Sequence, residues 1–256
     1  MDPVKHLTFG SLQIKIFESR ALAGKCAAEE GAAVIRSLLS KRDTINIVFA
    51  AAPSQDDTLG ELILQEGIDW SRVRAFHMDE YLGLEIGHEQ SFGTYLDKHI
   101  WSRLPFKEIH YFNGAASDSD KECERYADLI RLYPPDLIFL GIGENGHIAF
   151  NDPWVADFKD RSLVKVVQLD EVCRMQQVND GCFEKIDDVP THAYTLTIPA
   201  LLQAEYLFCT VPGPTKAEAV YRTANEGISE DCPATIMRNH PNAYMYCDAE
   251  SGKELL

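Results

Sequence analysis

The 256 residues suffice for one large domain or two small ones, and a hydrophobic fraction of 45% with a charged fraction of 25% excludes a disordered or repetitive chain. A formal net charge of −16, from 24 Lys and Arg against 40 Asp and Glu, argues against nucleic acid or an anionic membrane as partner, while leaving room for a few cations to converge on a small anion. Seven scattered cysteines (Cys26, Cys123, Cys173, Cys182, Cys209, Cys232, Cys247) form no C-x-x-C, no apolar run reaches the ~18 residues of a membrane helix, and the N-terminus carries no targeting pattern, so a cytoplasmic, reducing location is expected.

In chain order, LQIKIF at 12–17 alternates as an edge strand does. The Ala-rich stretch 19–41 has apolar residues at helical spacing. INIVFAAA at 45–52 reads as a buried strand that ends at Pro53, and 56–65 as a helix with acids in its first turn, where the helix dipole favours them. VRAFHM at 73–78 is the next strand; 91–104 and 119–133 are helical. DLIFLGIG at 136–143 is a further buried strand. Residues 162–169 and 193–199 look extended. EYLFCTV at 205–211 is a strand, 214–224 a helix, and AYMYCD at 243–248 a last strand. Strands alternate with helices, and several strands are apolar throughout, as strands buried on both faces are. The expected fold is α/β: a Rossmann-like three-layer sandwich with a mostly parallel sheet and helices on both faces. No linker divides the chain, so 1–256 is read as one domain. Residues 149–192 are the least regular and suit an insertion over the sheet edge.

Ligands of open α/β sheets bind beyond the carboxyl ends of the strands, and those ends carry the unusual residues. Gly141-Ile142-Gly143-Glu144-Asn145-Gly146 spells G-x-G-x-x-G, but the long helix that a dinucleotide turn requires is cut off by Asp152-Pro153. Gly143 and Gly146 then serve a tight turn that approaches a ligand closely. Asp79 and Glu80 end a strand; the alternative is a solvated pair that caps the next element. His147 has Glu144 and Asp152 near it in sequence, and a carboxylate beside an imidazole fixes its tautomer and suits it to move protons; the alternative is a histidine bonded to backbone. Lys216 opens a helix, where a cation makes sense if an anion binds the free N–H groups with it; the alternative is a plain exposed lysine. No ligand set has convincing metal spacing.

Phe76-His77-Met78-Asp79-Glu80-Tyr81-Leu82-Gly83-Leu84 and Gly141 to Pro153, GIGENGHIAFNDP, resemble the two signature segments of the glucosamine-6-phosphate deaminase (isomerase) family, and His240-Pro241 and Tyr246-Cys247-Asp248 also fit. The resemblance spans nearly the whole chain. The sister family, 6-phosphogluconolactonase, shares the fold but usually has Arg after the Asp-Glu pair and lacks Ile-Ala-Phe-Asn, so Tyr81 and 148–151 favour the deaminase side. The resemblance implies aldose–ketose isomerisation with deamination of an amino-sugar phosphate to a ketose phosphate and ammonia. It implies no cofactor, a small-molecule sugar phosphate as partner, and assembly anywhere from a monomer to a homo-oligomer. Asp79 would be the base that moves a proton from C2 to C1, Glu80 a supporting acid and His147 the ring-opening group. Asn145 and Asp152 would be its companions, and Ser54, Gly143, Gly146, Lys216 and Arg174 would bind substrate.

Three departures from the family pattern stand out. Asn145 replaces the Asp two residues before the histidine, and an amide orients an imidazole without stabilising its cation as a carboxylate does; ring opening is expected to be weaker, or to rely on Glu144 or Asp152. The glycine-rich first phosphate loop reads Ala52-Pro53-Ser54-Gln55-Asp56-Asp57 here. If Asp56 and Asp57 point in, they repel an anion by about 4 kcal/mol at ~4 Å and ε ≈ 20; if they point away, they cap the helix. Arg174 lies near the family's phosphate arginine in a different local pattern and either replaces it or is structural. An isomerase or hydrolase for a different sugar, with lactone hydrolysis less favoured, and a non-catalytic sugar-phosphate sensor are the competing functions.

Overall fold

The structure, a computed structural model, describes residues 2–179, 181 and 183–256, and leaves the side chains of Val172, Cys173 and Gln176 undescribed. The chain runs β1 (Lys5–Phe9), β2 (Leu12–Phe17), α1 (Arg20–Leu39), β3 (Ile45–Phe49), α2 (Asp56–Ile63), β4 (Val73–His77), β5 (Asp79–Tyr81), α3 (Phe92–His99), β6 (Glu108–His110), α4 (Ser119–Leu132), β7 (Leu137–Leu140), β8 (Val164–Gln168), α5 (Glu171–Asn179), β9 (His192–Leu196), α6 (Ile198–Leu201), β10 (Tyr206–Val211), α7 (Ala217–Asn225) and β11 (Ala243–Asp248).

The main sheet has the order β1-β2-β11-β10-β7-β3-β4-β6. All neighbours pair parallel except β1, which is antiparallel to β2. Strands alternating with helices leave each strand buried on both faces, which explains their apolar runs. Val48, Ile138 and Leu140 face one core, with Tyr126 and Ile130 of α4 and Val220 of α7. Ile47, Phe49, Leu137 and Phe139 face the other, with Ala27 and Ile35 of α1, Leu59 of α2 and Leu96 of α3. The three-layer sandwich expected from the sequence is the one observed. The chain leaves β3 toward β4 and β6 on one side, and continues through β7, β10 and β11 on the other. The switch point therefore lies between β3 and β7, where a crevice opens beyond the strand ends.

One expectation is corrected. LQIKIF is not the edge: β1 precedes it, and the pair forms a hairpin across Gly10. The stretches 162–169 and 193–199 are extended as expected and lie outside the main sheet. β8 and β9 pair antiparallel, and β9 pairs antiparallel with β5, forming a second, three-stranded sheet. Asp79 to Tyr81 thus leave the parallel sheet at the end of β4 and enter a different one.

Cys26, Cys123, Cys209, Cys232 and Cys247 are free thiols; Cys182 and the Cys173 side chain lie outside the described residues. Among the described residues no helix is long and apolar enough to cross a membrane.

Candidate active site

The crevice at the switch point is a cleft of about 200 Å³. Its walls come from the residues after β3 (Ala50–Gln55), from Met78 and Asp79 after β4, from Gly141, Ile142, Gly143 and His147 after β7, and from Pro212, Thr215 and Lys216 after β10. Four parallel strands thus deliver their carboxyl ends to one space. Phe92, Ala149, Phe150, Gln177 and Arg20 complete it.

Asp79 is 7% exposed. Its backbone pairs with Thr195 of β9. Burial, and secondarily the neighbouring Glu80 carboxylate, pushes Asp79 well above the ordinary carboxylate range. Behind it, His77 is fully buried, and its Nε2 accepts the Phe112 N–H at 2.9 Å. Burial brings His77 down to about 3, so it stays neutral and braces the strand end.

Glu80 points away from the cleft. Its Oε1 accepts the N–H groups of Tyr81 (2.9 Å) and Phe92 (3.0 Å), and its Oε2 that of Gly93 (3.0 Å). Phe92 and Gly93 open α3, so Glu80 satisfies the unpaired donors of a helix N-terminus from a separate strand. Burial pushes its carboxyl up to about 7, against the opposing pull of those three N–H groups. For Glu80 the bonds match the alternative of a group that caps the next element, buried rather than solvated: Glu80 holds the strand of Asp79 to the helix that supplies Phe92.

The loop after β7 is built around His147. No helix follows Gly141–Gly146 before β8, which removes the dinucleotide reading. Gly146 donates to the Gly143 carbonyl at 3.0 Å and closes the turn; it lies outside the cleft lining. A Cβ on Gly143 would sit 2.0 Å from His147 Cε1 and 2.2 Å from Nδ1, so the imidazole lies flat against a backbone that only glycine offers. Asn151 pins the loop to β9 by donating to the Leu196 carbonyl at 2.8 Å. Ala149, at φ 52°, is the one non-glycine residue with positive φ among the described residues, and it lines the cleft.

His147 Nδ1 lies 2.8 Å from Asn145 Oδ1 and 3.0 Å from Asp152 Oδ1, while Asn145 Nδ2 donates to Asp152 Oδ1 at 2.8 Å. Both oxygens accept, so Nδ1 carries the proton and Nε2 presents a lone pair. Asp152 is 1% exposed and stands behind the ring rather than in the cleft. The carboxylate that Asn145 lacks is therefore supplied by Asp152, and the expected deficit in stabilising an imidazolium does not follow from position 145 alone.

Lys216 is 8% exposed and ends a 3-10 turn, Pro214–Lys216. Asp248 anchors that turn by accepting the Gly213 N–H at 3.0 and 3.2 Å. Ser54 lines the cleft as well; its Oγ accepts from Gln55 Nε2 at 3.2 Å. Asp56 and Asp57 do not point in. Asp56 accepts from the Tyr95 hydroxyl and lies 3.4 Å from His99 Nε2, and Asp57 pairs with Arg20 Nε at 2.5 Å.

Arg174 is corrected to a structural role. Its guanidinium donates to the carbonyls of Ile186 (2.6 Å) and Val189 (3.0 Å), and it does not line the cleft. The residue of α5 that does is Gln177, whose Oε1 accepts the Tyr81 hydroxyl at 2.7 Å. Sequence reasoning missed Gln177, Arg20 and Phe92. Gln177 lies three residues after Arg174 on α5, a helix within the stretch 149–192 that the sequence left irregular.

A family model described as glucosamine-6-phosphate isomerases/6-phosphogluconolactonase matches residues 18–245. A glucosamine-6-phosphate deaminase of Bacillus cereus (strain B4264) is 36% identical over 224 residues, 88% of this chain and 83% of the relative. A solved monomeric glucosamine-6-phosphate deaminase superposes with a TM-score of 0.86 at 29% identity, over 94% of this chain and 98% of that one. A 6-phosphogluconolactonase of Thermotoga maritima shares the fold, with a TM-score of 0.75 at 21% identity over 92% and 98% of the two chains.

Proposed function

The chain belongs to the glucosamine-6-phosphate isomerase/6-phosphogluconolactonase family, and from that premise we propose that it converts glucosamine 6-phosphate, or a close amino-sugar phosphate, to the ketose phosphate and ammonia. The observation that carries this reading is one cleft lined by both a buried carboxylate, Asp79, and an imidazole, His147, whose Nδ1 is held by Asn145 and Asp152.

His147 Nε2 accepts the proton of the anomeric hydroxyl and returns it to the ring oxygen, which opens the pyranose to the aldehyde. Asp152 stabilises the imidazolium formed in between. Asp79 then removes the proton at C2; the electron pair forms a C1–C2 double bond, and the C1 oxygen takes a proton. Returning the proton to C1 leaves a C2 iminium. Water adds at C2, and ammonia departs. Burial raises the basicity of the Asp79 carboxylate, which suits a base for a carbon acid, and neighbouring carbons lie within reach of the same carboxylate. Ser54 and Lys216, which line the same cleft, hold the phosphate. The free thiols described suit a reducing cytoplasm as the site of the reaction.

The test is to incubate the protein with glucosamine 6-phosphate in heavy water and follow ammonia release and deuterium uptake. Both are expected. Binding with neither would favour a sensor, and exchange without ammonia an isomerase of a sugar without the amino group.

A further inference from the structure

Arg20 is the first residue of α1, with Ser19 as the N-cap, and its side chain reaches the rim of the cleft. Its Nε donates to Asp57 Oδ2 at 2.5 Å and its Nη2 to the Pro53 carbonyl at 2.9 Å. These two bonds fix the guanidinium plane over the loop Ala52–Gln55. They leave both hydrogens of Nη1 and one of Nη2 without an acceptor among the described residues. The placement depends on Gly24, one helical turn further along the same face: a Cβ there would sit 2.5 Å from Asp57 Cβ and 2.9 Å from the Thr58 nitrogen. The glycine lets the start of α2 press against α1, and Asp57 then stands within reach of Arg20.

The same cleft is lined by Ser54, Thr215 and Lys216 and by the buried carboxylate of Asp79. A substrate seated in it meets cations and hydroxyls as well as an acid. The loop here has Pro53-Ser54-Gln55 and no glycine, so side chains rather than a wrapped backbone must supply donors to an anion.

We propose that Arg20 is the specificity-determining residue for a phosphorylated substrate, contacting the phosphate oxygens with its remaining N–H groups while Asp57 and the Pro53 carbonyl hold the fork in place. The proposal rests on the sugar-phosphate reading above and adds a residue to it. Asp57 then serves the site as an orienting partner, because its charge is spent on the far edge of the guanidinium. Arg20 binds and selects; it takes no part in the proton transfers.

The test measures the Kd of inorganic phosphate by calorimetry, and kcat and KM for glucosamine 6-phosphate, in the parent protein and in three variants. Arg20→Met is expected to weaken phosphate at least tenfold and to raise KM by a similar factor, with a smaller change in kcat. Lys216→Met should weaken phosphate as well. Asp57→Asn separates the proposal from a purely structural role, since its amide oxygen still accepts from Arg20 Nε and the cation stays: phosphate is expected to weaken clearly less than in Arg20→Met. Were Arg20 only a pin for the loop, Asp57→Asn would weaken phosphate as much as Arg20→Met, and the proposal falls. It also falls if Arg20→Met leaves the phosphate Kd within twofold of the parent while Lys216→Met raises it; the sugar-phosphate reading then stands without Arg20. A parent protein that binds neither phosphate nor glucosamine 6-phosphate overturns both.

Discussion

Asp79 combines two demands that oppose each other. A base for a carbon acid gains from burial, and a buried carboxylate costs the fold when it ionises. Burial holds the Asp79 carboxyl well above the ordinary carboxylate range in the folded chain and pushes that of Glu80 up to about 7. The folded chain therefore binds more protons than the unfolded one across this interval. The stability contributed by Glu80 is full below about pH 4 and is lost as pH rises through about 7, and that of Asp79 is lost as pH rises through its own raised pKa. Asp79→Asn removes the charge and keeps the shape. It should raise the melting temperature at pH 8, at roughly 2–4 °C per kcal/mol for a chain of this size, with a smaller gain at pH 5, and it should abolish deuterium exchange at C2. A melting point lowered at pH 8 would show that the ionised carboxylate is stabilised in the fold. Gly143→Ala tests the imidazole seat. The methyl group must displace the ring, so kcat should fall about 10²-fold, while circular dichroism shows the secondary structure kept; unchanged kcat would mean that the flat contact is dispensable. Asp79, His147 and Lys216 were legible because each follows an apolar strand whose carboxyl end the sequence marks. Asp152 was legible as a nearby acid, although its place behind the ring was not. The turning away of Glu80 was hidden because its acceptor bonds reach 12 and 13 residues ahead, and the pairing of Arg20 with Asp57 spans 37.

Among the elements, six of the seven parallel strands and the long helices were readable, since a strand buried on both faces and a helix with one apolar face leave distinct periods in the sequence, whereas β6 is a half-buried edge of three residues. The second sheet was not. β5 has three residues, too few to show alternation, and its partner β9 lies more than a hundred residues away. β1 was missed because its inward-facing residues are only partly buried and its pattern is mixed, KHLTF. The second sheet gives Asp79 its backbone partner and links it to α5, through the Tyr81–Gln177 hydrogen bond. Arg174 on α5 tests the element. Its bonds to the Ile186 and Val189 carbonyls are charge-assisted, each worth about 1.5–3 kcal/mol. Arg174→Met should therefore speed amide hydrogen exchange across 184–189 and leave the phosphate Kd unaltered. A tenfold weaker phosphate would return Arg174 to the anion subsite.

For the molecule as a whole, the topology decides where chemistry can occur. The switch between β3 and β7 opens a crevice that receives loops from four strand ends, and each loop brings a different kind of group: hydroxyl and amide after β3, acid after β4, imidazole after β7, ammonium after β10. A net charge of −16 does not prevent anion binding, because Lys216 and Arg20 both line this cleft while Asp56 and Asp57 face elsewhere. The central claim, that a single carboxylate moves hydrogen between adjacent carbons in this crevice, is tested most directly with glucosamine 6-phosphate labelled with deuterium at C2. The account predicts that ammonia release carries part of the label to C1 of the ketose phosphate, and that Asp79→Asn loses both the transfer and the ammonia. Turnover by Asp79→Asn at the parent rate, or ammonia release with the label still at C2, would contradict it.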